Sequence, residues 1–451
     1  MKKVALAIAS ALAVMMPISG SHAETLQDVL ASTYENNPTL KARRANVRSV
    51  DELVPQALSG WRPQVFATGE LAAQHNDSNL ANVDRNTNPR EAALTVSQPI
   101  YSGGQTIANT KAAEATVSAA RAGLVSTEQS VLQQAVEAYM NVLRDEALVE
   151  LNRNNNVVLR RQLDAANDRF QVGEITRTDV AQAEARLADS ISNLIQAEGN
   201  LRSTRANFER IVGRPPLDLE EPAIPSDFPE SEAAALEIAL ANHPDILAAR
   251  YNEESSRHDI RATSGQLLPS VDVNGRVATG REQTTSSSST DTARIGAVLT
   301  VPLYQSGAVY SQVRQARQVN SQRMQEIEET VRAVREQVIQ SWELLETSRS
   351  RIGASDEAVR ANEIALDGVE QEAQVGSRTT LDVLNAEQEL LQSRVDLVTA
   401  RRDQYVAIYN VLAAIGKLNA QSLALNVDHY DPTENYNRVR NKWFGTDGGL
   451  N

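Results

Sequence analysis

Apolar positions in this chain follow two periods, and the chain switches between them. The longer-running period is helical. Gly104 and Gly173 lie 69 positions apart, Gly307 and Gly376 the same, and neither interval contains a proline. Within the second interval, Ile327, Val331, Val334, Val338, Trp342 and Leu345 keep a near-heptad seam, the mark of a helix whose apolar stripe faces another helix. An unbroken helix of this length runs roughly 100 Å at 1.5 Å per residue. A returning arm follows between Gly376 and Gly416, where Leu391, Val395, Val398, Tyr405, Tyr409 and Leu412 form the seam and Arg402 is its one polar position. The arm spans roughly 60 Å. Shorter helical stretches are expected over 25–59 and 232–265. Each is about as long as the arm's shortfall, so it would lie end to end with the arm and complete a second rod.

The other period is two. Val271, Val273 and Val277 alternate with Ser270, Asp272, Asn274 and Arg276, as in a strand with two different faces. Ile295, Ala297, Leu299, Val301 and Leu303 alternate again. Val65, Ala67, Gly69 and Leu71, then Leu94, Val96 and Ile100, repeat the pattern more softly. These predict β-hairpins over about 63–101 and 269–304. The polar stretches 74–90 and 282–291 read as exposed loops, with the serine run Ser286 to Ser289 mobile.

The two halves correspond. Asn37-Pro38 and His243-Pro244 are 206 positions apart, as are Pro63 and Pro269. Leu94-Thr95-Val96-Ser97-Gln98-Pro99-Ile100-Tyr101 matches Ala297-Val298-Leu299-Thr300-Val301-Pro302-Leu303-Tyr304 at a spacing of 203. The same 203 relates Gly104 to Gly307, Gly173 to Gly376, Ala183-Glu184 to Ala386-Glu387, and Gly213 to Gly416. A register held this long predicts a two-fold internal repeat: a first unit over 24–213, a Pro-rich linker over 214–230, a second unit over 231–416 and a terminal segment over 417–451. Residues after about Tyr436 are polar and are expected to fray.

At the far end of each hairpin lies a matched turn, at 172–180 and 375–383. Val172-Gly173 precedes Thr178-Asp179-Val180, and Val375-Gly376 precedes Arg378-Thr379-Thr380-Leu381-Asp382-Val383. Glycine after a helix supplies the left-handed residue that ends it. Thr379 or Thr380 can cap the next helix, and Asp382 falls in its first turn, where the helix dipole favours a carboxylate. Taken alone, Asp382 is a capping residue and Arg378 a solvated charge. The Asn37-Pro38 and His243-Pro244 pairs read as helix breaks, and Trp342 as packing.

Composition narrows the function. Met1-Lys2-Lys3, an apolar run over 4–18 and Ser21-His22-Ala23 form a secretory signal peptide over 1–23. No later stretch is apolar enough for a transmembrane helix. There are no cysteines, and the five histidines are scattered, so no thiol chemistry, metal or other cofactor is expected. A net charge of −14 argues against nucleic acid. Aromatic residues make up 4% of the chain, a long-helix composition rather than that of a compact core.

With its paired tips, Pro-bounded strand pairs and two matched halves, the chain resembles the TolC family of outer-membrane channel proteins over essentially its whole mature length. The resemblance implies an α+β homotrimer. Each protomer would give four strands to one 12-stranded transmembrane β-barrel, continuous with a long periplasmic α-helical barrel. It also implies a passive exit duct of a tripartite efflux pump or type I secretion system. Its partners would be a periplasmic adaptor (membrane fusion) protein, an inner-membrane transporter of the ABC, RND or MFS type, and outer-membrane lipid. Carried over residue by residue, Asp382 matches an aspartate whose threefold ring narrows the pore. Arg378 matches a basic latch residue, with Thr178 and Asp179 as its partners on the other hairpin. The chain departs from the family's pattern at Asn385, where a second Asp ring is missing, and at Ala373, where an aromatic tether is missing; a weaker cation block and a looser latch are expected. The adaptor would dock beside Gly173 and Gly376, near Val172 and Val375. The competing reading is a soluble periplasmic coiled-coil adaptor or scaffold. An enzyme has no Ser-His-Asp, metal or phosphate-binding pattern to support it.

Overall fold

A computed structural model describes residues 24–75, 77, 86–225 and 228–448. The expected signal peptide lies outside the described residues. Two antiparallel helical hairpins dominate. The first joins α4 (Gln105–Gln171) to α5 (Arg177–Val212), the second α8 (Ala308–Gln374) to α9 (Thr380–Ala414). Both outgoing helices are 67 residues long and continuous, roughly 100 Å each.

The opening helical stretch breaks at Asn37-Pro38, as that pair suggested, and once more at Glu52, giving α1 (Leu26–Asn36), α2 (Pro38–Asp51) and α3 (Leu53–Leu58), followed by a 3-10 turn over Ser59–Trp61. In the second half α6 (Glu232–Asn242) and α7 (Pro244–Gly265) break at the corresponding place. The breaks are chemical. Pro38 and Pro244 have no N–H to continue a helix but suit its first turn. Asn37 Oδ1 accepts from Thr39 N–H at 2.9 Å, and His243 Nδ1 accepts from Asp245 N–H at 3.2 Å, so each caps the helix that restarts. Asn37 also donates from Nδ2 to the Ile211 carbonyl at 2.9 Å, tying the break to the last turn of α5. Gly213 lies against Asn36, and Gly416 against His243 and Pro244. The end of each arm therefore meets the break inside the opening stretch, not the end of a single helix spanning that stretch. His243 is 3% exposed, and burial pushes its pKa down, in keeping with a neutral capping ring.

The main core surrounds this junction. It gathers Leu30, Leu40, Tyr139, Phe208, Ile246, Leu345, Leu412 and Leu418. Trp342 stacks on Phe228 of the linker at 6.0 Å, a packing role.

Of two possible heptad lines on each arm, the one facing inward within the chain is small. Ser393, Ala400, Ala407 and Ala414 are buried at strict seven-residue spacing. Ala183 and Ser190 do the same on α5. Asn156 donates to the Ser190 hydroxyl and Asn362 to that of Ser393, each at 3.2 Å. Of the larger seam residues, Leu391, Val395, Val398 and Tyr405 are only half-buried in a single chain, while Tyr409 and Leu412, nearest the junction, are buried in the main core. Arg402 is explained by a bond to Asn141 on α4 at 2.9 Å.

The strands β1 (Gln64–Leu71), β4 (Arg90–Ser102), β5 (Ser270–Arg281) and β6 (Ser289–Thr300) form one antiparallel sheet in the order β1-β4-β5-β6. Two short strands, β2 (Gln74–His75) and β3 (Asn86–Thr87), extend the first hairpin. Residues 76 and 78–85 of its loop lie outside the described residues. The serine run is built into the second turn rather than loose. Ser289 opens β6, and the Ser288 hydroxyl accepts from the Thr284 and Thr285 amides at 3.2 and 3.3 Å.

The expected frayed terminus is also corrected. Helix α10 (Glu434–Val439) docks on the first half. Asn435 donates to buried Asp51 at 2.8 Å, Arg440 pairs with Glu114 at 3.0 Å, and Arg62 donates to the Lys442 carbonyl at 2.8 Å. Val439 is 4% exposed. A few anchors in a polar segment leave no periodic trace, so they were invisible to pattern reading.

Candidate functional site

The sheet has one apolar face, and its register produces it. Directly paired residues of an antiparallel sheet share a face. Val65 pairs with Val96, Val96 with Gly275, and Gly275 with Ile295. One step along, Ala67, Leu94, Val277 and Ala293 form the next row. Val271 and Leu299 extend it towards the helices. Leu94, Val277, Ile295 and Leu299 are 48–81% exposed. The opposite face carries Glu70, Glu91, Arg276 and Arg294 in paired rows, with Arg276 ion-paired to Glu91. The register shifts between Pro99 and Tyr101, a bulge at the proline that cannot donate to a ladder. Strands of 12 and 13 residues are long enough to cross a bilayer at a tilt. Among the described residues, both edges, β1 and β6, are unpaired.

At the other end, the two tips share one construction. Gly173 (φ 83°) and Gly376 (φ 81°) take the left-handed conformation. The next amides turn back, Glu174 N–H to the Arg169 carbonyl at 3.0 Å and Ser377 N–H to the Glu372 carbonyl at 2.9 Å. This pattern closes a helix end. Thr176 and Thr379 then cap the arms. Asp179 accepts from the Thr176 amide at 2.9 Å and hydroxyl at 2.8 Å; Asp382 accepts from Thr379 at the same two distances. The backbone N–H of each threonine, more than its hydroxyl, holds these carboxyls below the usual carboxylate range. Asp382 is thus a capping residue in this chain, whatever else it does in an assembly. Val172 and Val375 stand 72% and 80% exposed at the extremities.

The resemblance joined Arg378 to Thr178 and Asp179. In this chain Arg378 donates to Glu372 of its own hairpin at 2.8 Å, Asp179 is closed onto Thr176, and Thr178 is exposed. The contacts between hairpins are others. Leu384 of α9 is 1% exposed in a cluster whose other members, Leu159, Ala166, Val180 and Ala183, all belong to the first hairpin. Beside it, Arg186 donates to Asn385 at 2.8 Å. Reading one seam at a time missed both, because each residue lies on a face turned towards a different hairpin. The lack of a carboxylate at Asn385 was the one signal available.

Among the described residues no helix is long and apolar enough to cross a membrane, and no acidic or histidine cluster could hold a metal. A sheet with an exposed apolar face, standing on a roughly 100 Å helical hairpin stack, needs no transmembrane helix to meet a membrane. The family model for outer membrane efflux proteins matches residues 29–214 and 235–417, and the chain belongs to that family. It is 36% identical over 427 residues to the outer membrane efflux protein BepC of Brucella suis, covering 94% of this chain and 92% of BepC. It is 28% identical over 411 residues to the outer membrane protein TolC of Vibrio cholerae, covering 89% of this chain and 92% of that one. The solved outer-membrane channel OprN superposes with a TM-score of 0.76 at 20% identity, over 87% of this chain and 89% of OprN. The chain is an outer-membrane channel of the efflux and secretion class that extends into the periplasm, and the scaffold reading is not favoured.

Proposed function

We propose that three copies of this chain form one exit duct, each giving four strands to a 12-stranded barrel. The observation that carries this is the sheet. Its apolar rows run unbroken across four strands, its other face carries the pairs Glu70 with Glu91 and Arg276 with Arg294 together with Phe66 and Val298, and among the described residues both edges are open. Unpaired edges are not tolerated in lipid, and four strands cannot close a barrel alone. Cyclic repetition joins β6 of one copy to β1 of the next and turns Glu70, Glu91, Arg276 and Arg294 towards a water-filled lumen. The half-buried seam of Leu391, Val395, Val398 and Tyr405 fits helices that await neighbours. The two matched halves give a protomer of near-equivalent staves, in keeping with duplication.

The duct performs no chemistry; its energy comes from an inner-membrane transporter coupled through a periplasmic adaptor. The tips at 172–180 and 375–383 form the gate. The second hairpin lies inside the first, an Asp382 ring faces the pore, and opening parts the hairpins where Leu384 and the Arg186–Asn385 bond now join them. Adaptor contacts fall beside Gly173 and Gly376, on exposed Val172 and Val375. The test is conductance of the detergent-purified protein in planar bilayers, with its mass in detergent. A particle of three protomers giving small cation-selective steps, less selective after Asp382→Ala, supports the reading. A monomer that does not insert overturns it.

A further inference from the structure

The C-terminal segment ends in a surface that neither the duct nor the gate uses. Beyond α10, Trp443 and Phe444 stand 57% and 86% exposed, with ring centroids 6.5 Å apart. The segment is not adrift. Asn435 is bonded to Asp51, Tyr436 packs with Val54 and Val117, and Arg440 pairs with Glu114. The last anchor sets the height. Arg62 donates to the Lys442 carbonyl at 2.8 Å and lies 5.0 Å from the centre of the Trp443 ring. Arg62 is two residues before β1, and the neighbouring Trp61 carbonyl accepts from Gln98 of β4 at 3.0 Å. Trp443 is therefore fixed at the foot of the sheet. Val65, the first apolar-face residue of β1, is three positions beyond Arg62, a rise of roughly 10 Å.

We propose that Trp443 and Phe444 are an interfacial membrane anchor, seated in the headgroup region of the periplasmic leaflet of the outer membrane. Continuity with the lipid-facing sheet decides the occupant. A docked polar segment presents two large aromatic rings at the level where the apolar face begins, and such rings collect at a membrane–water boundary. Tryptophan suits it, with an apolar body and an N–H for the headgroup layer. Arg62 holds one face of the ring, while Arg440 and Lys442, just before Trp443, are paired within the chain, with Glu114 and Asp447. The anchor would fix the depth of the barrel from outside it, through a segment that contributes no strand. The proposal rests on the sheet being the membrane-spanning part.

The chain has no cysteine, so a single introduced thiol can be labelled without ambiguity. Phe444→Cys, Ile295→Cys and Gln374→Cys are labelled with an environment-sensitive fluorophore. Each is reconstituted into phosphatidylcholine–phosphatidylglycerol vesicles carrying bromine either near the headgroup or at the chain end. Ile295 marks the sheet's apolar face and Gln374 the distant tip. The anchor requires that label at 444 be quenched by shallow bromine more than by deep bromine, that label at 295 be quenched, and that label at 374 be untouched. Loss of quenching at 444 after Arg62→Ala, with 295 unchanged, would show that Arg62 holds the anchor in place. If 295 is quenched while 444 is not and remains open to aqueous quencher, the anchor is wrong and the channel reading stands. If 444 is shielded from both bromolipid and aqueous quencher, the aromatic pair packs on protein instead, a second copy included. If 295 is also unquenched, the membrane-spanning reading itself falls.

Discussion

Leu384→Ala is the sharpest probe of the proposed gate. The side chain leaves α9 and is buried among Leu159, Ala166, Val180 and Ala183 of the first hairpin, so it joins the two hairpins that, on that proposal, separate for the pore to widen. Truncating a buried leucine costs about 2–5 kcal/mol. This cluster is small and near a helical end, which places the cost at the lower limit, about 2 kcal/mol, or about 30-fold in the closed-to-open ratio per protomer. The cross-hairpin bond from Arg186 to Asn385 is solvent-exposed and contributes about 0.5 kcal/mol. The ion pair of Arg378 is local, to Glu372 six residues earlier in its own hairpin. The expected order of channel opening is therefore Leu384→Ala well above Arg186→Ala, with Arg378→Ala close to the unaltered protein. Open probability of single reconstituted channels reads this order, and amide exchange at the start of α9 reports the same loosening independently. A channel that opens more with Arg378→Ala than with Leu384→Ala would refute the assignment. So would Leu384→Ala that loosens α9 but leaves open probability unchanged.

Three further outcomes are expected. Asn385→Asp converts the Arg186 bond into a charged pair and should lower open probability; a rise in cation selectivity without that drop would show that position 385 faces the pore instead. Gly376→Ala meets no atoms within 4 Å, yet φ at 81° strains any L side chain by about 1–2 kcal/mol, so exchange should rise at the tip while the thermal midpoint of the whole protein stays put. The caps at Asp179 and Asp382 have pKa values held below the ordinary 3.8. A depressed carboxylate stabilises the native state above its unfolded pKa and loses that contribution as pH falls through its folded pKa. Tip protection should thus be flat from neutral pH down to the ordinary carboxylate range and collapse below it. Loss already at pH 6 would exclude these carboxylates as the cause.

The chain alone determined its local elements, because each is written in nearest-neighbour chemistry. Proline-free heptads between Gly104 and Gly173 make a continuous helix, alternating Val271, Val273 and Val277 make a two-faced strand, and Val-Gly before Thr-x-x-Asp makes a tip. What only the tertiary structure decided were the choices between faces and partners. The arms carry two heptad lines, and burial within one chain took the small one through Ser393, Ala400, Ala407 and Ala414, where close approach is possible. Four separate alternations became one apolar surface only when the register put Val65, Val96, Gly275 and Ile295 in a row. The contacts that join the two hairpins within this chain, through Leu384 and Asn385, and the holding of the tail by Asn435 and Arg440 left no periodic trace in the sequence, for one reason. These are single contacts between segments hundreds of residues apart, and a lone contact imposes no period on the residues around it.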